Sequence, residues 1–305
     1  RNHKRIVDEE YGRFANAFCV NINHHFHKNA LAGKRFFSGS CADTWAKTWL
    51  RDNLHNVADC PADKNLGTVL LASNHYDALA SDILNSNFRK LSTCEADTIT
   101  KNIVAELVQL VSWAQLHRVV SERLVNYLYI HAHDYRYPIF RLLIKIHKQP
   151  VKARQISSAC RWCFSPSAAL LARELQPTVA KHESVCKGSM KLVDSLGKLR
   201  LPADKFAMHT YDIEQLYPKL PIAQVPHVIK PMLIHHFEGS PCWGAKVEFL
   251  FSLLILVLKA QLVLFSFLAS DQDHVGLFIQ EQGIATDLMC GAQIANLFLL
   301  GLDQL

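Results

Sequence analysis

Apolar residues return every three to four positions along "TKNIVAELVQLVSWAQLHRVVSERLVNYL", and that period predicts one long amphipathic helix over 98–128. Residues 6–54 read as mostly helical, interrupted by the polar loop "AGKRFFSGS". A short apolar run at 68–72 predicts a strand, followed by a helix that begins near His75 or Tyr76. In "LLIKIHKQPVKARQI" polar and apolar residues alternate, the two-residue period of a hairpin with cations on one face and apolar groups on the other. Pro166 suits the first turn of a helix over 166–175, with Ser165 as its cap. The run "FLFSLLILVLKAQLVLFSFLA" is long enough to suggest a membrane span. Lys259 and Gln261 sit at its centre, where a charge is costly, so it reads instead as a buried helix followed by a strand over 262–268. Near the middle of the second half, "HTYDIEQLYPKLP" predicts a strand ending in one acid, Asp212. Mixed helices and short strands make this an α+β chain.

Composition narrows the picture modestly. The chain has 305 residues, half of them hydrophobic and a fifth charged, which is globular composition sized for one large domain or two modest ones. Its net charge of +6 is compatible with a polyanionic partner. Nine scattered cysteines, an odd number, argue for a reducing compartment inside the cell. Only Cys160 and Cys163 are closely paired, without the further ligands a zinc site requires. "NHHFH" at 23–27 lacks ligand spacing and reads as a solvated helix face or loop. The chain opens without methionine and closes after an apolar stretch, so it is expected to be a piece of a longer protein, with no signal peptide in view.

Charge distribution is more informative than total charge. Between Asp134 and Glu174 there is no acid, while the interval carries Arg136, Arg141, Lys145, Lys148, Lys152, Arg154, Arg161 and Arg173. Such a run repels itself unless something anionic fills the space. It reads equally as a phosphate cradle or as a solvated basic surface. Asp212 tips the balance, because nucleotidyl transfer needs carboxylates for Mg²⁺ and cations for a triphosphate.

Four blocks then carry a resemblance. "ADKNLGTVLLASNHY" is similar to the D-K-G or D-K-N segment of reverse transcriptases of Penelope-like retroelements. "LLIKIHKQPVKARQISSACRWCFSPSAALLARELQP" resembles their fingers segment, "TYDIEQLYPKLPI" their motif A, and "IQEQGIATDLMCGAQIANLF" their motif B, in the family's order. The resemblance implies a right-hand polymerase: an N-terminal helical region at 1–115 including Asp63 and Lys64, fingers at 116–200 and a partial palm at 201–305 with a short-stranded antiparallel sheet. It implies RNA-directed DNA synthesis on an RNA template and DNA primer from deoxynucleoside triphosphates, with no membrane partner, in the nucleus.

Residue by residue, the resemblance makes Asp212 the catalytic ligand of two Mg²⁺ ions, with the Ile213 carbonyl beside it. Lys145 and Arg154 would grip the triphosphate, and Tyr217 would lie under the sugar and exclude a 2′-hydroxyl. Gln282 and Gly283 would contact the nucleotide and template base, and Asn296 would support the motif B helix. Lys148, Lys152 and Arg161 would contact nucleic acid. Asp63 and Lys64 carry no assigned role. Departures include Gln155 for proline, and in motif B Ile284, Thr286, Asp287, Ala292 and Ile294 where the family has other residues. The Asp pair of motif C is absent from the sequence, so the fragment is expected to be inactive as it stands. The alternative is a non-catalytic nucleic-acid-binding remnant.

Overall fold

Alternating cations and apolar residues do form a hairpin, in which β4 (Ile139–Lys145) runs antiparallel to β5 (Lys152–Ser158). The structure is a computed structural model that describes residues 57–65, 67–146, 150–182, 184–186, 188–199, 207–269 and 275–302. The helical reading of 6–54, "NHHFH" and Lys148 lie outside the described residues.

Ahead of the hairpin come β1 (Val57–Pro61), a tight turn at Asp63–Asn65, β2 (Thr68–Ala72), α1 (Ser73–Asn87) and β3 (Phe88–Leu91). The helix after β2 thus starts at Ser73, slightly earlier than expected. Next are α2 (Thr93–Leu116) and α3 (Glu122–Leu128). The single helix expected over 98–128 is therefore two. Ser92 opens α2 with a capping box, in which its hydroxyl accepts the Glu95 N–H and the Glu95 carboxylate accepts the Ser92 N–H. Arg118, at φ 58°, closes it: the Val119 N–H reaches the Ala114 carbonyl and the Arg118 N–H the Gln115 carbonyl. That is a Schellman ending on a residue other than glycine. Ser121 then caps α3.

After β5 come α4 (Ser165–Lys181), α5 (Ser189–Lys198), α6 (Leu216–Lys219), α7 (Val225–Phe237) and α8 (Trp243–Lys259). The chain continues through β6 (Leu262–Ser266), β7 (Val275–Gln280) and α9 (Gly291–Leu302). In α4 the N-cap is Phe164, and the Ser165 hydroxyl donates to the Ala159 carbonyl instead of capping. The helix also continues past Leu175, carrying Pro177 on its exposed side.

The main sheet has the order β3-β7-β6-β4-β5 and is mixed, since β4 meets β6 in parallel through Ile139 and Leu264. The expectation of an antiparallel sheet is corrected there: the return from β4 to β6 passes through helices, which lets the two strands run the same way. One sheet face buries Phe140, Leu142, Ile144, Val263, Phe265 and Phe278 against Tyr76, Ala80 and Leu84 of α1. The Tyr76 hydroxyl accepts the Leu142 N–H, tying helix to strand. The larger core lies among α2, α4, α7, α8 and α9. α8 is apolar nearly all round because it packs on α2, α4 and α7 at once. Among the described residues no helix is long and apolar enough to cross a membrane.

Candidate nucleic-acid interface

Register decides which cations share a surface. Across the hairpin Lys145 faces Lys152, Leu143 faces Arg154 and Arg141 faces Ile156, so Arg141, Lys145, Lys152 and Arg154 lie on one side. Phe140, Leu142, Ile144, Gln155 and Ser157 take the other, buried side. The basic face is part exposed, with the Lys152 and Arg154 side chains 58% and 47% accessible.

Two acids reach this face. The Asp63 carboxylate stands 3.2 Å from the Arg154 guanidinium and is itself buried. Asp63 arrives there because Ala62 forms a parallel bridge with Ile144, laying the β1–β2 turn beside β4. Glu214, two residues after Asp212, approaches Lys152 at 3.9 Å. Both side chains of that second pair are exposed, so it orients the segment and adds little stability. The structure thus brings the Asp63–Asn65 turn, the β4–β5 hairpin and the segment bearing Glu214 to one surface. Arg161 is placed elsewhere: it occupies the turn after β5, at φ 61°, and pairs with Asp134.

Asp212 and Ile213 are exposed and lie in an irregular stretch over 207–213, where Tyr211 is 90% accessible. The strand expected to carry Asp212 is absent from that stretch. A strand is held by cross-strand pairing and one buried face, and this stretch has neither. Among the described residues no group of three or more His, Cys, Asp or Glu side chains converges. Cys160 is exposed while Cys163 is buried, so that pair points two ways.

The blocks around Tyr217 and Gly283, in contrast, are packed together. The Ile284 N–H donates to the Tyr217 carbonyl at 2.8 Å, and the Tyr217 ring edge lies where a Cβ on Gly291 would meet it at 3.4 Å. Gly283 is buried at φ 72°, and a Cβ there would collide with the Pro218 backbone. The close approach that glycine permits is made to the Tyr217–Pro218 backbone. Gln282 is exposed beside it, its N–H donating to the Asn87 carbonyl and its own carbonyl accepting the Gln280 amide. Asn296 is half-buried on α9, and Asp287 is exposed in the turn before it.

Sequence reading used Gln261 only against a membrane span and missed what it holds together. It interrupts an apolar run, and in the fold it is buried under the Gly283–Ala285 turn, donating to the Leu258 and Gly283 carbonyls and accepting the Ala285 N–H at 2.7 Å. A polar amide inside an apolar run was the available signal, since a buried amide needs partners.

No family model matches the chain, and no curated protein matches its sequence significantly.

Proposed function

We propose that this chain is the fingers and partial palm of an RNA-directed DNA polymerase that holds an RNA template, a DNA primer and a deoxynucleoside triphosphate. The observation that carries the reading is the meeting of separate blocks: Tyr217 and Pro218 against Gly283 and Ile284, with Glu214 just before them reaching Lys152 on the hairpin face that also bears Lys145 and Arg154. In this reading the primer 3′-hydroxyl gives its proton to solvent as its oxygen bonds to the α-phosphorus and the bond to the departing pyrophosphate breaks, with Arg154 and Lys145 neutralising phosphate charge. Asp212 and Ile213 are exposed residues, and a carboxylate and a backbone carbonyl are oxygen donors of the kind Mg²⁺ takes, which fits one half of a metal site. Bound there, Mg²⁺ would supply charge stabilisation at the reacting oxygens.

A second reading is a non-catalytic nucleic-acid-binding remnant. The exposed, irregular placement of Asp212 favours it, since metal-holding carboxylates work best on rigid elements. Both readings require the basic face to take phosphates, so titration of an RNA–DNA duplex against rising KCl tests them together. Affinity should fall steeply, and Lys145→Gln and Lys152→Gln should each reduce the log–log salt slope by about 1. Salt-insensitive binding sinks both. Mg²⁺-dependent primer extension by the longest natural form, lost in Asp212→Asn, separates polymerase from remnant.

A further inference from the structure

Asp63 is an acid that the proposed chemistry leaves unused. Its carboxylate is 4% accessible, yet it lies against a cationic surface. One oxygen, Oδ1, accepts the Lys64 N–H at 3.1 Å and stands 3.2 Å from the Arg154 Nη1. The other, Oδ2, is buried without a protein partner among the described residues. The turn that presents Asp63 is constrained. Lys64 is left-handed at φ 62° and ψ 31°, and the Ala62 N–H reaches across to the Gly67 carbonyl at 2.8 Å. A left-handed residue other than glycine is disfavoured, so the turn is held by its surroundings. Burial of the carboxylate and its bond from the Lys64 N–H hold Asp63 against Arg154.

We infer that Asp63 is a positioning residue, its buried carboxylate fixing the Arg154 guanidinium so that the exposed edge is aimed at phosphate oxygens beside Lys145 and Lys152. Asp63 touches no phosphate itself. It converts a flexible arginine into an oriented fork, which suits the planar geometry of phosphate recognition. The inference rests on the reading of the hairpin face as a phosphate cradle, and it adds a function for the D-K-N turn. Phosphate oxygens could come from a free triphosphate or from a nucleic-acid backbone, so both sources need a probe.

The test compares the whole chain, Asp63→Asn, Arg154→Gln and the double variant, each binding inorganic tripolyphosphate or an RNA–DNA duplex. Removing an acid beside cations raises positive charge, which by long-range attraction alone would tighten anion binding. Positioning predicts the opposite sign: Asp63→Asn weakens one or both probes about fivefold. In the Arg154→Gln background the same change should produce no further loss. A fall for tripolyphosphate alone assigns the triphosphate, and a fall for the duplex alone assigns the backbone. Unchanged or tighter binding, or an equal fall in both backgrounds, overturns the inference while leaving the cradle intact. Failure of the unmodified chain to bind either probe overturns the cradle and the inference together. Should Asp63→Asn not fold, Arg154→Lys decides, because it keeps the charge and loses the fork. Affinity for the same probe should drop about threefold or more, and wild-type affinity there would overturn the inference.

Discussion

The Tyr217 carbonyl accepts the Ile284 N–H at 2.8 Å, and Gly283 sits between them with no room for a side chain against Pro218. Gly283→Ala should therefore meet two penalties, a left-handed φ and a backbone collision. We expect destabilisation of about 2–4 kcal/mol in denaturant titration, together with weaker duplex binding. A Gly283→Ala chain as stable as wild type would show that the two motifs do not pack this way.

Glu174 joins α4 to α8, with Lys246 at 2.9 Å and Arg173 at 3.0 Å. Burial alone would raise its carboxyl pKa, and pairing with Lys246 and Arg173 outweighs that and holds it below the usual value of 4.5. A depressed folded-state value adds stability above the unfolded pKa that is lost as pH falls through the folded one. Glu174→Gln should cost about 1 kcal/mol at pH 7, and the gap from wild type should narrow as pH falls below 4.5 and close as it passes the lowered folded-state value. A gap independent of pH would contradict the pairing.

Burial pushes the Cys60, Cys163 and Cys290 thiols up to about 12. At pH 8 these should resist iodoacetamide while exposed Cys94, Cys160, Cys186 and Cys242 react, as peptide mass mapping would record. Rapid modification of Cys163 in the native chain would place the Trp162–Phe164 turn outside the core.

Gln155 is buried opposite Leu142, and neither end of its amide has a protein partner among the described residues. Gln155→Leu should raise stability by about 1 kcal/mol, because the amide's desolvation is no longer incurred. A loss of stability would mean that the amide is satisfied by water.

Local patterns were readable where their causes are local. The two-residue alternation around Lys145 and Arg154 defined both the hairpin and its basic face, and the apolar run before Lys259 defined α8. The break at Arg118 was hidden because its left-handed ending carries no glycine to announce it. The strand expected before Asp212 failed over 207–213 for a different reason: its neighbours in sequence suit a strand, but among the described residues no partner strand pairs with it.

The sequence by itself determined the periods of helices and strands, the acid-free interval between Asp134 and Glu174, and the order of the four blocks. Tertiary structure decided which of those residues meet. Asp63 comes to Arg154 only through the Ala62–Ile144 bridge, Gln261 to Gly283 only through the turn after α8, and Gly283 to Pro218 only by close backbone packing. Periodicity is a property of neighbours along the chain, whereas these contacts depend on buried partners that cost free energy to leave unpaired and lie far apart in sequence.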